Sequence, residues 1–371
     1  MAIQSKSTPR GVRLLRDPAV LGGGVLVVAV AIGIPLGIKH GVCINTLSGW
    51  VGLTVTGLKL GALYAMVALG YTMVYGVLQL LNFAHSEVFM IGSFAGLYAL
   101  KKIFGIEATS EGVGGIELIA ALFVAILVAA LASGGVAVVM ERVAYRPLRR
   151  HGAPRLAYLI TAIGVSLFLS NLFLLLDGKP HLFFPFDRFN WPNIAGAAPV
   201  PYPNVMKLTT VFSIFGVQVH NLDILVFLVA IGMLVVLDLF VRKTRAGKGI
   251  RAVAEDPETA SLMGVNVNGI IVLTFFVGGL MAGAAGVLYG LFFNAQFNMG
   301  FIPGLKAFTA AVLGGIGNIR GAMLGGLLLG LIENLGVACT GTQWQEVIAF
   351  LVLVGVLMFR PTGILGEQVG G

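Results

Sequence analysis

The sequence predicts an all-α fold, a polytopic bundle of about ten membrane-crossing helices. Three observations carry that expectation. Hydrophobic residues make up 57% of the chain and charged residues only 11%, a balance that leaves too little charge to cover a soluble domain. The apolar residues fall in runs of roughly 17 to 25, the length of a helix that spans lipid. Glycine is abundant, at 52 residues, which suits helices whose backbones must approach closely to pack inside a bilayer. The 24 lysines and arginines gather in a few short loops and do not interleave with aromatic residues. That distribution follows the positive-inside rule and argues against a nucleic-acid surface.

From the N-terminus, residues 1–18 read as a basic cytoplasmic leader carrying Arg10, Arg13 and Arg16, followed by an apolar run at 19–38. A secretory signal shares this polarity, but the run is long enough to span and no small-residue cleavage site stands near Lys39 and His40. An uncleaved helix is the expectation. Further runs at 49–71, 84–100, 117–140, 157–176, 222–241, 269–291, 304–318, 321–338 and 344–359 complete a membrane domain over 19–366, with a short tail at 367–371. With the N-terminus inside, the basic loops from Arg142 to Arg155 and over 242–268 face the cytoplasm, as do Arg320 and Arg360. Both termini are then cytoplasmic. The long outward segment 177–221 mixes proline, aromatic residues and asparagine, and reads either as a lid or docking element or as packing over helix ends. Ten spans divide into five plus five, which would orient the halves oppositely. The shared tripeptides Gly57-Leu58-Lys59 and Gly304-Leu305-Lys306 run in the same direction and give that inversion no support. Cys43 and Cys339 lack framework or metal-ligand spacing and read as two buried or free thiols.

Missing motifs narrow the chemistry. There is no phosphate-binding GxxxxGK[ST] loop, no HExxH and no nucleophile elbow; the nearest string, AGKG at Ala246 to Gly249, lacks the upstream glycine and the following hydroxyl. The chain is not expected to be an enzyme. If ATP drives it, another chain hydrolyses that ATP.

The segment 242–268 is the most informative. A basic run leads into a short helix over Pro257 to Met263, in which Asp256 caps the first amides, Pro257 presets the first helical φ, Glu258 suits the positive end and Gly264 supplies a left-handed stop. Two turns cannot hold themselves together in water, so this helix must dock on something.

Two polar groups interrupt the spans. Asn82, His85 and Glu87 sit where one span returns to the inner face and the next begins. They read either as a pathway or gate cluster, because intramembrane ionisable groups are costly, or as a cap in which Asn82 and Ser86 serve the following helix. Glu333 and Asn334 lie toward an outer helix end, where Glu333 either faces an external vestibule or, the expected role, pairs with Lys306 and joins two helices. Lys59 is expected to snorkel outward. Glycine sets at Gly278-Gly279 with Gly283 and Gly286, and at Gly321, Gly325, Gly326 and Gly330, predict close packing; Gly314, Gly315 and Gly317 leave packing and an unwound, pathway-lining break both open.

Five strings, GALYAMVALGYTMVYGVLQLLNFAHSEVFMIGS, YRPLR with RLAYLITAIGVSLFLSN, GKGIRAVAEDPETASLMGVNV, GLKAFTAAVLGGIGNIRGAMLGGLLLGLIENL and FRPTGILG, occur in order from about Thr56 to Gly366. Together they resemble the LivH-type permease of branched-chain amino acid ABC importers. The resemblance implies a type II importer permease of a bacterial inner membrane, paired with a second, LivM-like permease. It further implies two cytoplasmic ATP-binding subunits and an extracytoplasmic substrate-binding protein delivering leucine, isoleucine or valine. ATP would belong to the partner subunits, with no cofactor on this chain. By the same resemblance Glu255, Asp256, Ala260 and Gly264 occupy the ATPase-coupling positions, and Asn82, His85 and Glu87 lie beside the subunit interface. Ser86 departs from the glycine expected of many relatives and puts close backbone approach there in question. A urea or short-chain amide permease shares several of these strings. An ion-coupled secondary transporter and a membrane scaffold are the alternatives outside the family.

Overall fold

In the computed structural model the described residues are 44, 46–80, 82–110, 112–175 and 198–366. The basic leader, the run at 19–38, Cys43 and the 367–371 tail lie outside them. Helix α1 (Leu47–Leu78) is 32 residues long, about 48 Å at 1.5 Å per residue, and is capped by Thr46, whose hydroxyl accepts from Gly49 N. Its centre, from Gly61 to Val74, is buried on every face, as expected of an all-round apolar helix at the middle of a bundle. The others follow as α2 (His85–Lys102), α3 (Gly115–Met140), a π-helical turn (Glu141–Tyr145), α4 (Arg146–Arg150), α5 (Arg155–Leu175), α6 (Asn221–Lys243), α7 (Arg245–Glu255), α8 (Pro257–Leu262), α9 (Val267–Phe292), α10 (Phe301–Gly314), α11 (Ile319–Thr340) and α12 (Gln345–Phe359).

Nine of the expected runs fall on described helices, but length and apolarity alone qualify seven as membrane spans. The differences have simple causes. Helix α2 carries Glu87, Lys101 and Lys102, and α10 has 14 residues, about 21 Å, short of a bilayer's hydrocarbon thickness. Irregular backbone over 293–300 precedes α10, with Ala295, Met299 and Gly300 buried in protein, the setting in which non-helical backbone is tolerated at depth.

Glycine builds the packing. A Cβ on Gly330 would lie 2.3 Å from Gly57 O, and one on Gly61 would lie 2.8 Å from Gly326 O, so α1 and α11 touch backbone to backbone along an antiparallel pair. Gly279, Gly283 and Gly286 of α9 do the same against Ser133 and Gly134, Ala129 and Ala130, and Phe89 and Ser93. Both packing expectations hold. The third set differs: Gly315 (φ +107°) and Gly317 (φ +94°) form the turn between α10 and α11, and the C-terminal stretch closes it through Ile364 N to Leu313 O and Leu365 N to Gly314 O. A turn sealed by backbone hydrogen bonds is not an unwound pathway break.

One departure from all-α is a hairpin, β1 (Thr210–Ile214) with β2 (Val217–His220), turning on Phe215 and Gly216, both at positive φ. Such two-residue turns match strand twist and require left-handed residues. The rest of the described part of the 177–221 segment, from 198, packs over helix ends. Tyr202 donates to Ser93 O at 3.0 Å, and its ring and hydroxyl occupy the space left by Gly290 and Gly96. Val113 N bonds Val205 O, and Asn204 Nδ2 bonds Ala108 O.

Two further expectations are corrected. The basic run 242–251 is not a loop: Thr244 caps α7, whose Gly247, Ile250 and Val253 recur every three residues and bury one face. Cys339 is disulfide-bonded and so is not a free thiol.

Candidate coupling and translocation sites

The candidate coupling segment is built as its residues dictate. Asp256 Oδ1 accepts from Glu258 N at 2.9 Å and Thr259 N at 3.2 Å, while Thr259 Oγ1 donates to Oδ2. These bonds favour the charged carboxylate and hold its pKa below the usual aspartate range. The cap is therefore fully present above the ordinary aspartate pKa and is lost as pH falls through the depressed value. Gly264 takes φ +83°, and Val265 N closes the helix end on Ala260 O at 3.0 Å.

Burial separates the four coupling candidates. Ala260 is 4% exposed and packs into its own chain, whereas Glu255, Asp256 and Gly264 are exposed. The outward apolar groups are Leu262 and Met263, 87% and 80% exposed. Sequence reasoning missed both. The signal was available in their place on a helix expected to dock.

The polar trio at the start of α2 is buried throughout but does not converge on one point. Asn82 Oδ1 accepts from Tyr145 Oη at 2.7 Å, at the end of the π-helical turn. His85 stands edge-on to Tyr71, with ring centroids 4.8 Å apart, in room left by Gly70. Glu87 Oε1 accepts from Ser166 Oγ of α5 at 3.0 Å. Asn82 Nδ2, His85 Nε2 and Glu87 Oε2 have no hydrogen-bond partner among the described residues, an arrangement that native cores seldom keep without a use.

The capping alternative does not hold. Helix α2 starts after Ala84 with no side-chain cap, and Ser86 Oγ donates back to Phe83 O at 2.6 Å. Backbone approach at Ser86 is nonetheless tight: Cβ atoms on Gly300 and Gly304 would lie 2.4 Å from Ser86 O and 2.3 Å from Ser86 Cβ. The missing glycine is compensated on the facing segment. Asn82 also borders a small cleft with Tyr71, Tyr75 and Phe308.

Three sets of ion pairs complete the buried chemistry. Lys306 Nζ meets Glu333 Oε1 and, at 2.8 Å, Glu346 Oε1, so the expected Lys306–Glu333 pair joins α10 to α11 and reaches α12 as well. Lys59 does not merely snorkel: it pairs with the buried Asp223 of α6 at 2.9 Å and lies over the Phe292 ring. At the start of the π-helical turn, Glu141, wholly buried, pairs with Arg149 at 2.9 Å. That pair was also missed, because a lone acid beside arginines at a span's end reads as interfacial.

Residues 53–357 match the family described as branched-chain amino acid transport system / permease component. The chain belongs to that family. It is 42% identical to the high-affinity branched-chain amino acid transport system permease protein LivH of Escherichia coli K12, over 84% of this chain and 94% of that protein. BraD of Pseudomonas aeruginosa, named for the same system, is 42% identical over the same shares. A probable LivH of Methanocaldococcus jannaschii is 26% identical over 82% of the chain and 89% of its own length. No solved structure matches. The chain is thus a multi-pass inner-membrane permease.

Proposed function

We propose that this permease carries branched-chain amino acids into the cytoplasm as one membrane half of a type II ABC importer. Its partners are a second, LivM-like permease, two cytoplasmic ATP-binding subunits and an extracytoplasmic binding protein. The observation that carries the reading is a family match over most of the chain, together with a capped two-turn helix that leaves Leu262 and Met263 uncovered. The urea or amide alternative is not favoured, since the relatives of matching length are named for branched-chain amino acids. In this reading about ten spans place both termini and the α7–α8 segment inside. Glu255, Asp256, Ala260 and Gly264 shape the ATPase contact, Ala260 from beneath and the others at its rim, while Leu262 and Met263 fill the partner's groove.

The test is assembly. Leu262→Asp with Met263→Asp places two charges in a docking surface without touching the chain's own core. The ATPase is expected to be lost from the purified complex while the permease stays folded. An ATPase that still copurifies and couples would refute the assignment.

Asn82, His85 and Glu87 form the inner part of the route or its gate. Glu87→Gln keeps shape and removes charge, and is expected to lower uptake about tenfold or more at normal expression. Asn82→Ala instead strands the buried Tyr145 hydroxyl, at about 1–3 kcal/mol, and is expected to lower thermal stability. Normal uptake by Glu87→Gln with an early melt would move the route elsewhere.

A further inference from the structure

We infer that the π-helical turn Glu141–Tyr145, tied down by Arg149, is the positioning element that passes movement of α8 to the polar trio of α2. This deepens the reading of α8 as the ATPase contact and rests on it. The path is short and polar. Helix α8 hands over to α9 through Val265 N on Ala260 O and through Asn266, whose side chain accepts from Gly269 N at 3.0 Å. Two residues into α9, Asn268 Oδ1 accepts from Arg149 Nη2 at 3.0 Å. The same nitrogen donates to Glu141 Oε1 at 2.9 Å, and Glu141 opens the π-helical turn. The turn's last residue, Tyr145, donates to Asn82 at 2.7 Å. Its ring also lies 5.5 Å from Phe275 of α9 and 6.3 Å from Tyr158 of α5.

Three properties make this a relay and not just a brace. A π-helical turn is an uncommon, wider winding that recurs at functional sites, and it can shift register where an α-helix resists. Arg149 holds both partners through a single guanidinium nitrogen, so movement of Asn268 acts directly on the Glu141 contact. Glu141 Oε2, Arg149 Nη1 and Asn82 Nδ2 have no hydrogen-bond partner among the described residues, which leaves donors and acceptors for a second arrangement. The bistable step is a change in winding at Glu141–Tyr145 that releases or re-forms the Tyr145–Asn82 bond as the coupling helix moves.

The experiment uses the whole importer in liposomes with Arg149→Met, Arg149→Lys and Tyr145→Phe, measuring ATPase copurification, ATP hydrolysis and leucine uptake on the same preparations. Arg149→Met and Tyr145→Phe are expected to keep the ATPase bound while the ATP consumed per leucine imported rises about tenfold, a size usual for coupling between sites. Arg149→Lys keeps charge but not the fork and is expected to fall between. An unchanged ratio in Tyr145→Phe, which removes one oxygen and leaves the fold, overturns the inference. So does a parallel fall of uptake and hydrolysis in both variants. Failure of the coupling-helix reading shows separately, as a protein carrying both Leu262→Asp and Met263→Asp that still couples.

Discussion

Lys306→Met is expected to lower the melting temperature of the purified permease more than any conservative change in its apolar core. Lys306 sits between Glu333 and Glu346, with the Tyr64 hydroxyl 3.4 Å away, and Glu333 is 0% exposed. Removing the cation leaves a buried carboxylate uncompensated, at about 3–5 kcal/mol, whereas removing both members of such a pair is far cheaper. Lys306→Met combined with Glu333→Gln should therefore recover most of the loss. Thermal unfolding in detergent, read as the fraction of monodisperse protein after heating, measures both. If the single and double variants melt together, the pair is not what holds α10 to α11.

Gly330→Val is expected to prevent assembly of the bundle altogether. A Cβ there meets Gly57 O at 2.3 Å and the Gly61 backbone at 2.5 Å, so no side chain can give way and α1 must separate from α11. Overpacking usually costs about 1–3 kcal/mol, and a clash with backbone on the facing helix belongs at or beyond the upper end. Gly135 of α3 is the control: a Cβ there meets nothing within 4 Å, and Gly135→Ala should leave the yield of folded permease in membranes unchanged. Equal yields from the two variants would contradict the backbone-to-backbone contact.

The sequence makes the helices legible because lipid enforces a single rule, that backbone polar groups pair within the segment; nine apolar runs accordingly reappear as helices. The α8 cap was legible for the same kind of reason: Asp256, Pro257 and Gly264 each act on backbone within a few residues. What was not legible depends on partners distant in sequence. Asn82 looks like a cap until Tyr145 is seen 63 positions away, and Lys59 looks free until Asp223 is seen beside it. Ala260 and Leu262 differ by two positions, and only packing tells which faces inward. The basic run over 242–251 misled in the opposite way, since its charges outweighed a three-residue apolar stripe that α7 uses.

The shortness of α10 bears on how the chain is made. A segment of 14 residues with a lysine inside it is a poor candidate for independent entry into lipid, where a central lysine costs about 2.5–3.5 kcal/mol and about 20 apolar residues are wanted. The carboxylates that meet Lys306 come later, Glu333 27 positions on in α11 and Glu346 in α12, and the turn at Gly315 and Gly317 is closed only when residues 364 and 365 have emerged. Insertion is therefore expected to run in order, α10 and α11 entering the membrane late as a helical hairpin, and glycosylation mapping of ribosome-bound chains cut before Glu333 should find α10 outside the lipid.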